Sequence, residues 1–170
     1  MMNKLFFRKT KKIFFYLLII LVTITSVNIV RVYAVEKNFT PIFENVKLSP
    51  DFTPDPMTIR GISGGFVTAA EQSGRVETIT GPCVGFVDEK PDHKMVLTKF
   101  FQYLSLQVKS SEDTTLVVRG PGGSWCNDDY EGKNPGIVGQ WLSGTYDIWV
   151  GSPQKNKYIP YIIRISQKSQ

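Results

Sequence analysis

Four stretches of this chain repeat one pattern, and that period of two is what most limits the folds open to it. Leu104, Leu106 and Val108 alternate with Ser105, Gln107 and Lys109. Leu116 and Val118 alternate with Val117 and Arg119, after the β-branched pair Thr114-Thr115. Tyr146, Ile148 and Val150 alternate with Thr145 and Asp147, and Tyr161, Ile163 and Ile165 with Ile162 and Arg164. Side chains two apart share one face of an extended strand, so each run predicts a strand with a buried face. Gly120-Pro121-Gly122-Gly123, Ser143-Gly144 and Gly151-Ser152-Pro153 supply turns between the runs. No window of 12 or more residues carries a helical face. Short strands separated by turns hide their apolar faces by laying sheet on sheet. The expected fold class is therefore all-β, an antiparallel β-sandwich.

Charge divides the chain before the strands begin. Lys and Arg number 20 against 15 Asp and Glu, a formal net of +5. Residues 1–34 hold six of the basic residues (Lys4, Arg8, Lys9, Lys11, Lys12 and Arg31) and no acidic one. That leaves 14 basic against all 15 acidic residues in 35–170, a net of −1. With no cationic surplus to neutralise phosphates, nucleic acid is an unsuitable partner for this part. Within the leader, Ile13–Val30 is uncharged and follows a basic run, and Val32-Tyr33-Ala34 approaches the small-x-small pattern of a signal-peptidase site. Two readings stay open: a signal peptide cleaved after Ala34, or an uncleaved anchor that crosses a membrane through residues 13–30. Thr23, Thr25, Ser26 and Asn28 dilute the second half and favour cleavage. Either way residues 35–170 are expected outside the cytoplasm, secreted or periplasmic in the first case and membrane-anchored in the second.

The two cysteines, Cys83 and Cys126, both follow the leader. In an oxidising compartment they are expected to form a disulfide, which would close a loop of about 44 residues and stabilise the fold by ~4 kcal/mol. Neither lies in a Cys-x-x-Cys pair, and His93 is the chain's only histidine, so a metal site built on thiols lacks ligands. Residues 35–70, with Pro41, Pro50, Pro54 and Pro56 and only Phe43–Leu48 resembling a strand, read as an extended arm, leaving 71–170 as the sandwich domain.

The order of motifs over residues 81–166 resembles a known family. Cys83-Val84-Gly85-Phe86 is followed by Pro91-Asp92-His93, then by Asp113-Thr114-Thr115-Leu116-Val117-Val118-Arg119-Gly120-Pro121. Cys126-Asn127-Asp128-Asp129, Asn134-Pro135-Gly136-Ile137 and Gly144-Thr145-Tyr146-Asp147-Ile148-Trp149-Val150-Gly151 complete it. Together they resemble the bacterial pre-peptidase C-terminal domain, in its small secreted variant of unknown function. The resemblance implies a jelly-roll-like β-sandwich of the kind appended to secreted proteases, and no peptidase activity of its own. Some related domains bind calcium.

Three groups of residues are candidates for a site. Asn127, Asp128, Asp129, Glu131 and Asn134 offer five oxygen-bearing side chains within eight residues. Calcium takes six to eight oxygens and backbone carbonyls can complete such a shell, whereas the competing role is turn chemistry, with Asn and Asp capping backbone amides. Trp125, Trp141, Trp149 and Tyr130 could form an exposed aromatic patch for an envelope protein or a polysaccharide. Trp149 lies on the opposite strand face from Ile148 and Val150, so it either stands outside the core or covers the second side of a thin sandwich. Gly61-Ile62-Ser63-Gly64-Gly65 matches the G-x-S-x-G nucleophile elbow, with Asp88 or Asp92 and His93 downstream in triad order. That elbow needs a strand-turn-helix in a parallel sheet, which nothing after Gly65 announces, so Ser63 is weighed as a hydrolase nucleophile only as an alternative. The expectation is an exported, non-enzymatic binding or structural module.

Overall fold

Alternating burial along the strands sets the architecture. The structure, a computed structural model, describes residues 40–169; the expected leader at 1–34 lies outside the described residues. In chain order the strands are β1 (Val46–Leu48), β2 (Met57–Ser63), β3 (Val67–Thr68), β4 (Glu77–Thr78), β5 (Gly81–Pro82), β6 (Phe86–Val87) and β7 (His93–Leu97). They continue with β8 (Phe101–Ser110), β9 (Thr115–Gly120), β10 (Gly123–Asn127), β11 (Gly136–Trp141), β12 (Gly144–Gly151) and β13 (Ile159–Ser166). One short helix, α1 (Ala69–Ser73), follows β3. No helix among the described residues is long and apolar enough to cross a membrane.

A five-stranded sheet, β1-β7-β12-β9-β10, faces a four-stranded one, β11-β8-β13-β2. The alternating residues Leu104, Leu106 and Val108 of β8, and Ile163 and Ile165 of β13, meet Leu116, Val118, Ile148 and Val150 from the other sheet in one core cluster. The all-β sandwich read from the period of two is thus the fold. One pairing departs from the antiparallel expectation: β1 runs parallel to β7, with Val46 opposite Met95 and Leu48 opposite Leu97.

The stretch expected as an arm is instead woven into both sheets. β2 pairs along its whole length with β13, from Met57 opposite Ile165 to Ser63 opposite Ile159. Leu48, Phe52 and Ile59 are buried in the core. The prolines are punctuation between these strands, Pro50 and Pro54 in the connection and Pro56 just ahead of β2, where the missing N–H interrupts no ladder. The domain boundary expected at residue 70 has no physical basis, since its removal would strip a strand from each sheet.

The central strands β9 and β12 are buried on both faces. Their inner residues fill the main core, while Val117 and Trp149 point outward into a second cluster with Ala69, Val87, Cys83 and Cys126. This outer layer is the excursion from β3 to β6. Thr68 caps α1 by accepting from the Glu71 N–H while the Glu71 carboxylate accepts from the Thr68 N–H, a reciprocal box legible as Thr-x-x-Glu.

Candidate functional site

The disulfide organises the outer layer. Cys83 and Cys126 are bonded, joining the excursion to edge strand β10. Just before Cys83, the hairpin β4–β5 is held to the same strand end. Thr80 Oγ1 donates to Cys126 O at 2.7 Å, Cys126 N donates to Thr78 Oγ1 at 2.9 Å, and Asn127 Nδ2 donates to Thr80 O at 2.7 Å. Two apolar side chains on this pinned hairpin nevertheless face water: Val76 is 80% exposed and Ile79 97%. Nothing in the sequence marks them, because Val76 and Ile79 are single apolar residues among Arg75, Glu77, Thr78 and Thr80, and the chain does not say whether such residues are covered.

The aromatic residues do not form one patch. Trp149, weighed as standing outside the core, is 2% exposed. It does point to the far side of β12, as the alternation requires, but α1 and the disulfide cover that side. Trp125 sits on β10, a strand between β9 and β11 that the period of two does not announce. There it closes the core beside the buried Trp141 and Tyr146, with ring centroids 6.5 and 6.3 Å away. Trp141 is anchored by its indole N–H, which donates to Leu104 O at 3.0 Å. Tyr130 is half exposed on the β10–β11 loop, with its ring over Gly136.

In the acidic loop the structure divides the five oxygen-bearing residues. Asn127 Oδ1 accepts from Gly136 N at 2.8 Å, and Asn134 Oδ1 accepts from Ser110 N at 2.9 Å. Glu131 pairs with Lys109, whose ammonium holds the Glu131 carboxyl below its usual range. These three perform the turn and surface chemistry that Asn, Asp and Glu perform in most loops. Asp128 and Asp129 remain. Burial, then the nearby carboxylates of Asp113 and Asp129, push Asp128 up to about 6, against a hydrogen bond from Thr115 that lowers it. Among the described residues no three His, Cys, Asp or Glu side chains converge as a metal-binding group.

The raised Asp128 gives a pH dependence of definite sign. Its folded-state value lies above the ordinary carboxylate value, so its contribution to stability is complete below about pH 4 and is lost as pH rises through about 6. Asp128→Asn removes that loss. With the group partly open to solvent, screening holds the effect to about 1 kcal/mol, so the variant should exceed the parent by about that amount near pH 7.5 and match it near pH 4. Urea melts at the two pH values check this; equal stabilities at both would refute it.

The G-x-S-x-G match is dismantled by the fold. Ser63 ends β2 inside an antiparallel sheet and is fully buried. His93, also fully buried, has both ring nitrogens engaged. Nδ1 lies 2.8 Å from the carbonyl of Glu44, which only accepts, so Nδ1 carries the proton and Nε2 accepts from the Tyr161 hydroxyl at 2.8 Å. Asp92 Oδ2 accepts from Val150 N at 2.6 Å instead of orienting a histidine, and burial pushes its carboxyl well above the ordinary range. No nucleophile–base pair forms between Ser63 and His93. Gly61 has its own role: a Cβ there would lie 2.3 Å from the Tyr161 hydroxyl oxygen, so its absence lets Tyr161 reach the imidazole.

An open groove of about 410 Å³ lies between the edges of the two sheets, lined by Glu44, Asn45, Val46, Lys47, Leu48, Met57, Thr58 and Ile59.

No protein-family model matches the chain. It is 30% identical over 86 residues to an uncharacterized protein of Synechococcus elongatus, a match taking in 48% of this chain and 63% of that protein, so less than two thirds of the relative's length is spanned. The structure is similar to the crystal structure of the pre-peptidase C-terminal domain of collagenase from Bacillus anthracis, with a TM-score of 0.42 and 12% identity, covering 76% of this chain and 100% of that one.

Proposed function

We propose that residues 40–169 form an exported, non-catalytic binding module whose contact surface is the hairpin between Val76 and Val84. The observation that carries this reading is the near-complete exposure of Val76 and Ile79 on a hairpin fixed by a disulfide and three side-chain hydrogen bonds. A rigid apolar tip loses little conformational entropy on binding, which is the economy that makes a few residues dominate an interface. The partner class is an envelope protein or polysaccharide. The disulfide agrees with an oxidising compartment, and the leader provides the route there, either as a signal peptide removed after Ala34 or as a tether through residues 13–30. Sequencing the N-terminus of the exported protein distinguishes the two, by a start at Val35 or at the initiating methionine.

The test of the surface is the double variant Val76→Ser, Ile79→Ser in the full chain. Retention of the parent on immobilised envelope protein and envelope polysaccharide fractions should fall about tenfold or more, while stability changes by less than about 0.5 kcal/mol, as for exposed sites. Undiminished retention would remove the hairpin from consideration.

Calcium enters as a stabiliser of the Asp128–Asp129 loop. A cation there would relieve the repulsion among Asp113, Asp128 and Asp129, so millimolar calcium should raise Tm reversibly, and more at pH 7.5 than at pH 5, where Asp128 is largely protonated. A Tm indifferent to calcium and EDTA at pH 7.5 would exclude that role.

A further inference from the structure

His93 links three parts of the molecule through one residue. It belongs to β7 in the five-stranded sheet, receives a hydrogen bond from Tyr161 of β13 in the other sheet, and donates to Glu44 in the segment leading into β1. That segment, residues 41–45, is a strap along the start of β7. Besides the His93 bond it is held by Ile42 N donating to Pro91 O at 3.0 Å, Phe43 N to Asp92 O at 2.8 Å, and Lys94 N to Asn45 Oδ1 at 3.0 Å. The Phe43 ring lies 5.8 Å from the imidazole, sealing it from water.

We propose that His93 is a proton-operated latch, which holds the strap closed as a neutral imidazole and releases it on protonation while the two sheets stay assembled. The neutral ring is matched on both sides, with a donor facing Glu44 O and an acceptor facing the Tyr161 hydroxyl. Adding a proton at Nε2 turns the Tyr161 hydroxyl to accept, so no hydrogen bond need be lost; the cost is a buried cation. The charged and titratable groups around it give poor compensation. Asp92, just ahead of β7, is pushed well above the ordinary carboxylate range by burial, and so is Tyr161 above its own. Asp88, on the turn before β7, is also raised by burial. Lys94 is committed to Asp147, and the Glu44 carboxylate stands in solvent on the strap itself. Burial accordingly lowers the His93 value, against the favourable Glu44 carbonyl and charge.

Relief comes from the weakest wall. Tyr161 is paired on both sides, to Gly61 of β2 and Ser110 of β8, whereas the strap is held at one edge of β7 alone. Its departure admits water to the imidazolium and takes Glu44 and Asn45 out of the groove they help to line. Acidification thereby opens the seam between the sheet edges. The sign follows from linkage: a folded value below the unfolded one gives stabilisation that is present near neutrality and lost as pH falls through the folded value.

Because His93 is the only histidine, its imidazole resonances in NMR report the latch directly. Hydrogen exchange of the full chain, corrected for the intrinsic pH dependence, should show protection over 41–48 that is constant above the ordinary histidine value of about 6.5 and falls by about tenfold per pH unit below it for one proton. The fall should level off where the imidazole itself titrates in the folded chain, with protection over 101–110 and 159–166 unchanged. His93→Gln should hold the strap at the neutral level throughout. Constant strap protection in the parent, its loss together with the sheets, a fall that continues past the imidazole titration, or a folded His93→Gln chain that still opens would overturn the proposal. If His93→Gln does not fold, the agreement in the parent between the end of the fall and the imidazole titration decides.

Discussion

Gly65→Ala is expected to cost the fold about 4 kcal/mol or more, while Ser63→Ala, two residues away, leaves stability unchanged or raises it by up to about 1 kcal/mol. Gly65 has φ +139, and a Cβ there would fall 2.1 Å from the Val87 carbonyl carbon and 2.3 Å from the Asp88 N–H nitrogen. Backbone cannot move aside as a flexible side chain can, and Val87 is pinned in the second core cluster. The two penalties, a left-handed backbone and a clash with a peptide unit, add at one site. Ser63 is the converse. Its Oγ is buried without a hydrogen-bond partner, so its removal discards an unmet polar group and only one atom of packing. A nucleophile elbow would require the serine to matter most. Urea denaturation of the two variants gives the ranking, and a Ser63→Ala loss exceeding that of Gly65→Ala would contradict the structural account of this motif.

Removing the disulfide, with Cys83→Ser and Cys126→Ser together, is expected to lower stability by about 4 kcal/mol, the loop-closure value for a separation of 43 residues. The loss should be concentrated in the outer layer. Val117 and Trp149 owe their burial to α1 and the disulfide sulfurs, whereas the inner faces of β9 and β12 rest on the other sheet. Hydrogen exchange over 69–87 should rise well before that of β8 and β13, and tryptophan emission should shift to the red as Trp149 meets water. Trp125 and Trp141 stay where they are, against Tyr146 in the main core. A loss under about 1 kcal/mol with unchanged emission would mean that the excursion is held by its hydrogen bonds to Cys126 and Asn127 and that the covalent link adds little.

The inner strands were legible because apolar and polar positions alternate along the pleat: Leu104-Ser105-Leu106 or Ile163-Arg164-Ile165 states which face is turned to the core without reference to a partner. β10 was not, since Gly123-Ser124-Trp125-Cys126-Asn127 begins in a glycine turn and ends in an acidic loop, and only its register with β9, Trp125 opposite Val118, makes it a strand. β1 showed in the strand-like run Phe43–Leu48, whereas β2 was hidden by the prolines ahead of it. The acidic loop read as one group of ligands, and its residues were separated by partners distant in sequence: Gly136 and Ser110 took the asparagine carbonyls and Lys109 took Glu131.

Period and charge pattern determined an all-β domain after a basic, apolar N-terminal stretch, because each is a property of residues adjacent in the chain. Exposure was decided only in three dimensions. Trp149 and Ile79 are both apolar, yet one lies beneath the disulfide layer and the other on its rim. His93, which the chain offers only as the third member of a triad order, lies between two sheets and a strap, where Gly61, 32 positions earlier, leaves room for the Tyr161 hydroxyl. Alternation says which face a side chain takes; whether that face meets water depends on what the rest of the chain lays over it.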